Sequence, residues 1–151
     1  MDNEMTLIFP SKGPNVAFAR TAVVAFLLPL DPTVLELNDI RTAVSEAVTN
    51  AIIHGYGNKT GTITLRCTLR ERRIVITVSD TGAGISDVQK AREPLFTTRP
   101  AEGCGLGFTV MESFMDKLTV TSRLGEGTQV RMEKELTGQR EEEEEGERDD
   151  E

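Results

Sequence analysis

A carboxylate and a carboxamide stand one helical turn apart in the first half of the chain, at Glu46 and Asn50. Residues four apart lie on one face of a helix, so these two side chains would point in the same direction. Asparagine is a poor residue for a helix interior, because its side chain prefers caps and turns. Its position indicates a task for the amide oxygen, and hard cations such as Mg2+ prefer oxygen ligands. A solvated polar face explains this pair alone equally well.

Two glycine clusters could bind a nucleotide. Asp80-Thr-Gly82-Ala-Gly84 follows a strand pattern, and Gly103-Cys-Gly105-Leu-Gly107 precedes a helical pattern. Glycines let the backbone approach phosphate closely, and a helix N-terminus offers free N–H groups and a positive dipole. An ionised aspartate only accepts hydrogen bonds, so Asp80 could bind an amino group such as that of adenine. Each cluster alone is a weak indication, because loops are rich in glycine.

The helix that carries Glu46 has clear start and stop signals. Asp31 is expected as the N-cap and Pro32 as the first helical residue, with the end at Gly55 to Gly57. His54 lies one turn beyond Asn50 and is expected to be a hydrogen-bonded structural residue, because no acidic partner is evident. An apolar stripe on another face consists of Leu37, Ile40, Val44, Ala47, Val48 and Ala51.

The remaining elements follow from periodicity and turn residues. Residues 81–107 lose all periodicity, and so long a stretch in a small domain is usually a functional loop or lid. The predicted elements are an edge strand at 5–9, a helix at 16–28, a hairpin of strands 63–69 and 74–80, a helix at 106–115, and a closing hairpin of strands around 118–120 and 130–132.

The charge of the chain is concentrated at its end. The net charge is -8, and residues 138–151 contribute nine acidic and two basic residues, a net of -7, which leaves -1 for residues 1–137. We therefore expect one domain over residues 1–137 and a disordered acidic tail over residues 138–151. A nearly neutral domain gives no electrostatic support for direct nucleic-acid binding.

Several features favour a cytoplasmic protein without a membrane partner. Cys67 and Cys104 have no metal-type spacing and are expected to be reduced. Asp2 and Glu4 replace the basic segment that a signal peptide would carry. The longest apolar run, at residues 16–28, is interrupted by Arg20 and is too short to span a membrane.

Taken in order, the motifs resemble the Bergerat-type ATP-binding fold of gyrase, the Hsp90 chaperones, histidine kinases and mismatch-repair ATPases. The matching segments are Glu46-x-x-x-Asn50, Asp80-x-Gly82-x-Gly84, Gly103-x-Gly105-x-Gly107 and Gly127-Thr128. The resemblance implies an α/β (α+β) two-layer sandwich, with a mixed, largely antiparallel sheet and helices on one face. The nucleotide would lie between the Glu46 helix and the lid.

Residues 44–56, 94–98 and 107–116 narrow the resemblance to the anti-sigma serine kinases of spore-forming bacteria, and among them to the sporulation anti-sigma F factors. This family implies a homodimer that binds a sigma factor of the F type and holds it inactive. It also implies a protein serine/threonine kinase that uses Mg-ATP to phosphorylate a serine of an anti-anti-sigma factor. ATP would favour the sigma factor, and ADP the unphosphorylated anti-anti-sigma factor. The acidic tail departs from the family pattern.

The resemblance also implies roles for single residues. Asn50 would hold Mg2+, and Glu46 would act as a base toward the serine hydroxyl or position it. Asp80 would bind the adenine amino group with help from the hydroxyl of Thr128. The other implied ATP-binding residues are Gly82, Gly84, Thr97, Thr98, Gly103, Gly105, Leu106 and Gly107.

The helix at 16–28 is apolar on nearly every side. A central core helix explains this pattern, but so does a symmetric subunit interface formed with the strand at 5–9, which we predict. Arg20 would then lie near the rim of the interface, where it could pair with an acidic group of a partner protein.

Other functions fit the sequence less well. A histidine-kinase-like ATPase domain is disfavoured because the single histidine, His54, lies inside the nucleotide helix and no phosphoacceptor helix pair precedes it. A sigma-binding module without enzymatic activity is disfavoured because it would need the metal ligand but not Glu46. A general-stress anti-sigma serine kinase is the nearest alternative.

Overall fold

The computed structural model describes residues 2–57, 59–93 and 107–138. Residues 94–106, about half of the expected lid, and the tail at 139–151 lie outside these ranges. The elements in chain order are β1 (Asn3–Pro10), α1 (Pro14–Leu27), a 3-10 turn (Leu28–Leu30), α2 (Val34–Asn50), a π-helical turn (Ala51–Tyr56), β2 (Thr62–Arg70), β3 (Arg73–Asp80), α3 (Val88–Ala91), α4 (Gly107–Phe114), β4 (Lys117–Arg123) and β5 (Gly127–Glu135).

The five strands form one sheet in the order β1-β2-β3-β5-β4, and each neighbouring pair is antiparallel. β1 lies at an edge, as predicted. The hairpin of β2 and β3 turns at Glu71, whose φ of 55° is left-handed, and the hairpin of β4 and β5 turns at Gly125. Both predicted hairpins are confirmed.

Helices cover one face of this sheet, which confirms the two-layer sandwich. Alternate residues of β2 and β3 are buried, as their period of two requires. α2 packs against both α1 and α4, and its apolar stripe lies in the core from Ile40 to Ala51, whereas Leu37 is only half-buried. The fully buried residues of these layers include Val23, Leu27, Ile40, Val44, Ile63, Leu65, Ile74, Ile76 and Met132.

α1 buries one stripe and leaves apolar surface uncovered within the chain. Ala19, Val23 and Leu27 are completely buried, whereas Phe18 is 54% exposed. The predicted helix is therefore confirmed, and it is a core helix on one side only. Among the helices of the described ranges, none combines the length and the apolar composition that crossing a bilayer requires.

The start of α2 corrects the prediction from Asp31 and Pro32. The N-cap is Thr33, whose Oγ1 accepts from the Glu36 N–H at 3.0 Å while Glu36 Oε1 accepts from the Thr33 N–H at 3.0 Å. This reciprocal capping box satisfies two of the free N–H groups at a helix start. Asp31 instead ends the 3-10 turn with a left-handed φ of 51°.

Glu36 also holds the chain that leaves β5. Its carboxylate is buried and accepts from the N–H groups of Thr137 at 2.7 Å and Gly138 at 3.1 Å. Burial would raise the pKa of Glu36, but backbone hydrogen bonds from Thr33, Thr137 and Gly138 outweigh it and lower the pKa. The expected boundary between residues 137 and 138 therefore separates two residues bound to one carboxylate, and the folded domain includes Gly138.

We predict that Glu36→Gln lowers the free energy of unfolding at pH 7 by about 1–3 kcal/mol. The NH2 group of the amide cannot accept the hydrogen bonds that the buried N–H groups donate to the carboxylate. A carboxyl group whose pKa is lowered by folding stabilises the folded state at pH values above its ordinary pKa of 4.5. That contribution is lost as the pH falls through the pKa of the folded state. The difference between wild type and variant should therefore shrink below about pH 4.5 in urea titrations. Glu126→Gln, at an exposed position, is the matched control. A pH-independent difference would contradict the assignment.

Candidate functional site

A cavity of about 550 Å³ opens between the end of α2, the loop after β3, α3, the start of α4 and the turn between β4 and β5. Its size lies in the usual range for small-molecule sites. Of the residues predicted from the sequence, those that line it are Glu46, Asn50, Asp80, Gly84, Gly107 and Thr128. The structure therefore brings residues from all four sequence motifs to one cavity.

Glu46 and Asn50 meet the first residue of α4. A Cβ placed on Gly107 would lie 2.9 Å from Asn50 Nδ2, 3.1 Å from Asn50 Oδ1 and 3.3 Å from Glu46 Oε2. A residue without a side chain lets the N-terminus of α4 approach both groups this closely. That terminus carries free N–H groups and the positive end of the helix dipole, which together favour an anion.

Glu46 has an unusual environment for a carboxyl group. It is half-buried in the cavity wall, and burial raises its pKa above the ordinary value of 4.5. A raised pKa makes the carboxylate a stronger base near neutral pH, which suits a group that accepts a proton from a substrate.

Asp80 ends β3 and is held by its neighbours in space. Its Oδ1 accepts from the Gly82 N–H at 2.9 Å, and a Cβ on Gly55 would lie 3.0 Å from Asp80 Cγ and Oδ1. Burial raises the pKa of Asp80, while backbone hydrogen bonds from Gly82 and Thr128 partly offset that rise. The carboxylate therefore has a fixed place in the cavity.

The loop after Asp80 is clamped between two turns. The Ala83 N–H donates to Gly55 O at 2.7 Å, and the Gly125 N–H donates to Ala83 O at 2.6 Å. A Cβ on Gly82 would lie only 2.1 Å from Gly55 O, and Gly84 has a left-handed φ of 73°. Both glycines thus permit close backbone packing of this loop.

Ser122 does not line the cavity, but it supports two residues that do, Ile85 and Thr128, and the sequence analysis did not single it out. Its hydroxyl accepts from the Ile85 N–H at 2.7 Å and donates to Gly127 O at 2.9 Å. Because that donation uses its single proton, the 2.8 Å contact with Thr128 Oγ1 makes Thr128 the donor. The hairpin register, which places Ser122 opposite Thr128, could have identified it.

The segment at 81–107, which was expected to lack periodic structure, contains the short helix α3. Asp87 caps it by accepting from the Lys90 N–H at 3.0 Å. Just beyond it, Arg92 pairs with Glu112 of α4 at 3.3 Å and donates to Leu118 O at 3.3 Å. The predicted site residues that lie outside the described residues are Thr97, Thr98, Gly103, Gly105 and Leu106.

Arg20, His54 and Cys67 lie in three different parts of the structure. Arg20 is half-buried on α1, whereas the described lining of the cavity comes from other elements, so it is not part of this site. His54 lies in the π-helical turn and lines the cavity. Cys67 is a free thiol buried under the helices, and burial raises its pKa to about 12.

Known proteins resemble this chain over most of its length. A family profile described as a histidine kinase-like ATPase domain matches residues 9–134. An anti-sigma F factor of Caldanaerobacter subterraneus subsp. tengcongensis is 58% identical over 134 residues, which are 88% of this chain and 94% of that protein. An anti-sigma F factor of Clostridium acetobutylicum is 51% identical over 135 residues, which are 89% of this chain and 94% of that protein.

Two solved structures share the fold. A structure of the RsbU and RsbW domains of a Mycobacterium tuberculosis protein superposes with a TM-score of 0.66 at 18% identity, over 89% of this chain and 32% of that one. The mycobacterial sensor histidine kinase MprB superposes with a TM-score of 0.53 at 19% identity, over 68% of this chain and 74% of that one. At these identities the likeness concerns the fold alone, and it confirms the architecture expected from the sequence.

We predict that Gly82→Ala destabilises the protein by about 1–3 kcal/mol, because the new Cβ would press on a backbone oxygen of the π-helical turn. Gly13→Ala is the control, since a Cβ there meets nothing within 4 Å. It should cost less than about 1 kcal/mol. Chemical denaturation of both variants measures the difference, and equal stabilities would contradict the clamped loop.

Proposed function

Since the chain belongs to the histidine kinase-like ATPase domain family, and within it to the anti-sigma F factors, we propose that it binds and inhibits a sigma factor and is also an ATP-dependent serine kinase. The sigma factor is of the F type, and the phosphoryl acceptor is a serine of an anti-anti-sigma factor. The observation that carries this proposal is the meeting of Glu46, Asn50 and the N-terminus of α4 in one cavity.

The cavity suits ATP at both ends. Asp80 supplies a fixed acceptor for the adenine amino group, with the hydroxyl of Thr128 close by. At the other end, the start of α4 offers N–H groups to phosphate. Gly82, Gly84, Gly103, Gly105, Leu106 and Gly107 would shape these two ends, and Thr97 and Thr98 would contact the nucleotide from the lid.

Asn50 fits Mg2+ as a single protein ligand. Within the described ranges, no three His, Cys, Asp or Glu side chains come together as they would in a site built from protein alone. Mg2+ usually takes one or two protein oxygens and completes its shell with water and substrate phosphates. When bound, it would neutralise charge on the phosphates during transfer.

Glu46 is proposed as the base. It lies on α2 beside Asn50 and faces the first residue of α4, where the terminal phosphate would meet an incoming serine hydroxyl. The raised pKa of Glu46 would favour acceptance of the hydroxyl proton. Phosphoryl transfer otherwise depends on positioning and charge neutralisation, which the remaining groups would supply.

Partner binding is proposed on a different surface. Phe18 on α1 and Ile8 on β1 are 54% and 69% exposed, and a symmetric contact between two copies of the chain would cover such residues. Arg20 lies on the same helix as Phe18 and would pair with an acidic group of the sigma factor. ATP and ADP would shift the preference between the sigma factor and the anti-anti-sigma factor.

We predict that Glu46→Gln retains Mg-ATP binding but loses phosphotransfer to the anti-anti-sigma factor, because it removes a base and leaves the metal ligand. Asn50→Ala should weaken Mg-ATP binding by about tenfold or more, because it removes the metal ligand. Equilibrium nucleotide titration beside a mass-spectrometric phosphorylation assay separates the two effects. Thr42→Ala, on α2 away from the cavity, is the control for both. Equal loss of ATP binding in the first two variants would refute the division of roles.

We also predict that ATP and the sigma factor raise each other's affinity by the same factor, as linkage requires. A typical coupling corresponds to about 5–150-fold. Titration of the sigma factor against protein loaded with ATP or ADP measures it, and equal dissociation constants would exclude nucleotide as the switch. Arg20→Ala should weaken binding of the sigma factor to both the ATP-loaded and the ADP-loaded protein. The affinity for ATP itself should stay unchanged, because Arg20 lies outside the cavity lining.

A further inference from the structure

The hydroxyl of Tyr56 joins three segments around the cavity. Tyr56 is the last residue of the π-helical turn, and its Oη donates to the carbonyl of Thr62 at 2.5 Å and accepts from the Thr81 N–H at 2.9 Å. Thr81 Oγ1 lies 3.2 Å away and donates to the same oxygen, since the tyrosine proton is already used. The phenol thereby links the end of the helix to the start of β2 and to the residue after Asp80.

The ring of Tyr56 packs against residue 61, where only a glycine leaves enough space for it. A Cβ on Gly61 would lie 2.1 Å from Tyr56 Cε1, so the ring lies directly against the backbone there. The position of the hydroxyl is consequently fixed by packing as well as by its hydrogen bonds.

The π-helical turn contacts both Asp80 and the chain that follows it. Tyr56 binds Thr81, and Gly55 O accepts from the Ala83 N–H, while the Asp80 carboxylate lies against the Cα of Gly55. Insertions of this helix type inside α-helices are rare and occur frequently at functional sites. Here the change of helical geometry starts directly after Asn50, at Ala51.

The chain on the two sides of Asp80 is held by different contacts. On its N-terminal side Asp80 is the last residue of β3 and pairs with both Ile63 and Thr128. On its C-terminal side the chain turns into an exposed loop, and the hydroxyl of Tyr56 holds the first N–H of that loop. Loss of this hydroxyl would let the peptide after Asp80 rotate.

We propose that Tyr56 is a positioning residue for Asp80, and that its hydroxyl determines how strongly the cavity prefers adenine to guanine. This inference rests on the proposed ATP site. Asp80 accepts from the amino group of adenine, whereas guanine presents a carbonyl oxygen at that place, so selectivity depends on where the carboxylate points. Tyr56 touches neither base nor phosphate in this assignment and acts through Asp80.

The test is Tyr56→Phe in the full chain, which removes one oxygen and keeps the ring over Gly61. Dissociation constants for Mg-ATP and Mg-GTP are measured by titration. Affinity for ATP should fall by about tenfold, the usual scale for losing one hydrogen bond, here the bond between Asp80 and the adenine amino group. Affinity for GTP should change by less than about twofold. The preference for ATP should narrow accordingly. Thr42→Ala, which removes another hydroxyl-to-carbonyl bond, should leave it unchanged.

A double-mutant cycle with Asp80→Asn separates positioning from general stability. With Asp80 replaced, Tyr56→Phe should change ATP affinity by less than about twofold, because the group it positions is gone. Additive losses in the double variant would overturn the proposal and leave Tyr56 a structural residue.

Gly55→Ala gives a second route that keeps the tyrosine hydroxyl. Its Cβ would lie 3.0 Å from the Asp80 carboxylate and should displace it, which would narrow the same preference. An unchanged preference in this variant would count against positioning of Asp80 by the π-helical turn.

Measurements on the wild type separate a failure of the proposed adenine site from a failure of the role of Tyr56. If the wild type binds ATP and GTP equally, or neither, the proposed adenine site is wrong and the role of Tyr56 is wrong with it. If it prefers ATP and Tyr56→Phe keeps the full preference, the role of Tyr56 alone is overturned.

Discussion

The cavity depends on one backbone contact, between the π-helical turn and the loop after β3. Gly55 O accepts from the Ala83 N–H at 2.7 Å, and a side chain on Gly82 would collide with the same oxygen. This contact fixes the distance between the helix that carries Glu46 and Asn50 and the strand that ends at Asp80. The core below determines where the two segments meet, because the buried stripe of α2 lies on the helix-covered face of the sheet. Glycine is needed here because two backbones touch directly.

Three carboxylates in this domain differ by environment rather than by residue type. Glu36 is buried, but several N–H groups donate to it, so its pKa falls and it stabilises the fold. The pKa of Glu46 rises because it is partly buried, and the pKa of Asp80 rises because burial outweighs the backbone hydrogen bonds that it receives. A carboxylate with a raised pKa destabilises the folded state near neutral pH, since the unfolded chain loses its proton more readily. Residues that oppose stability in this way are typical of functional sites, where they are kept for binding or chemistry.

Periodicity predicted the larger elements, because burial of one face imposes it. The alternation in β2 and β3 and the apolar stripes of α1 and α2 gave their positions to within a few residues. Two local features, the start of α2 and the short helix α3, were not predicted. Thr33 with Glu36 forms a capping box, which outweighs the signal from Asp31 and Pro32, and α3 is too short for a period to appear. The π-helical turn has no sequence period of its own, so the contact of Tyr56 with Thr81 was visible only in three dimensions.

The packing of the helices determines how a partner could sense the nucleotide. Arg20 lies on α1, which packs against α2, and α2 in turn carries Glu46 and Asn50 and packs against α4. Ala19, Ala43 and Ala47 are buried, and such small side chains allow helix axes to lie close together. Closely packed interiors resist compression, so a displacement of α4 by a bound phosphate would be passed to α1 as a movement of whole helices. In the proposed switch, α2 is therefore the two-sided element through which the cavity and the partner surface bias each other's equilibrium.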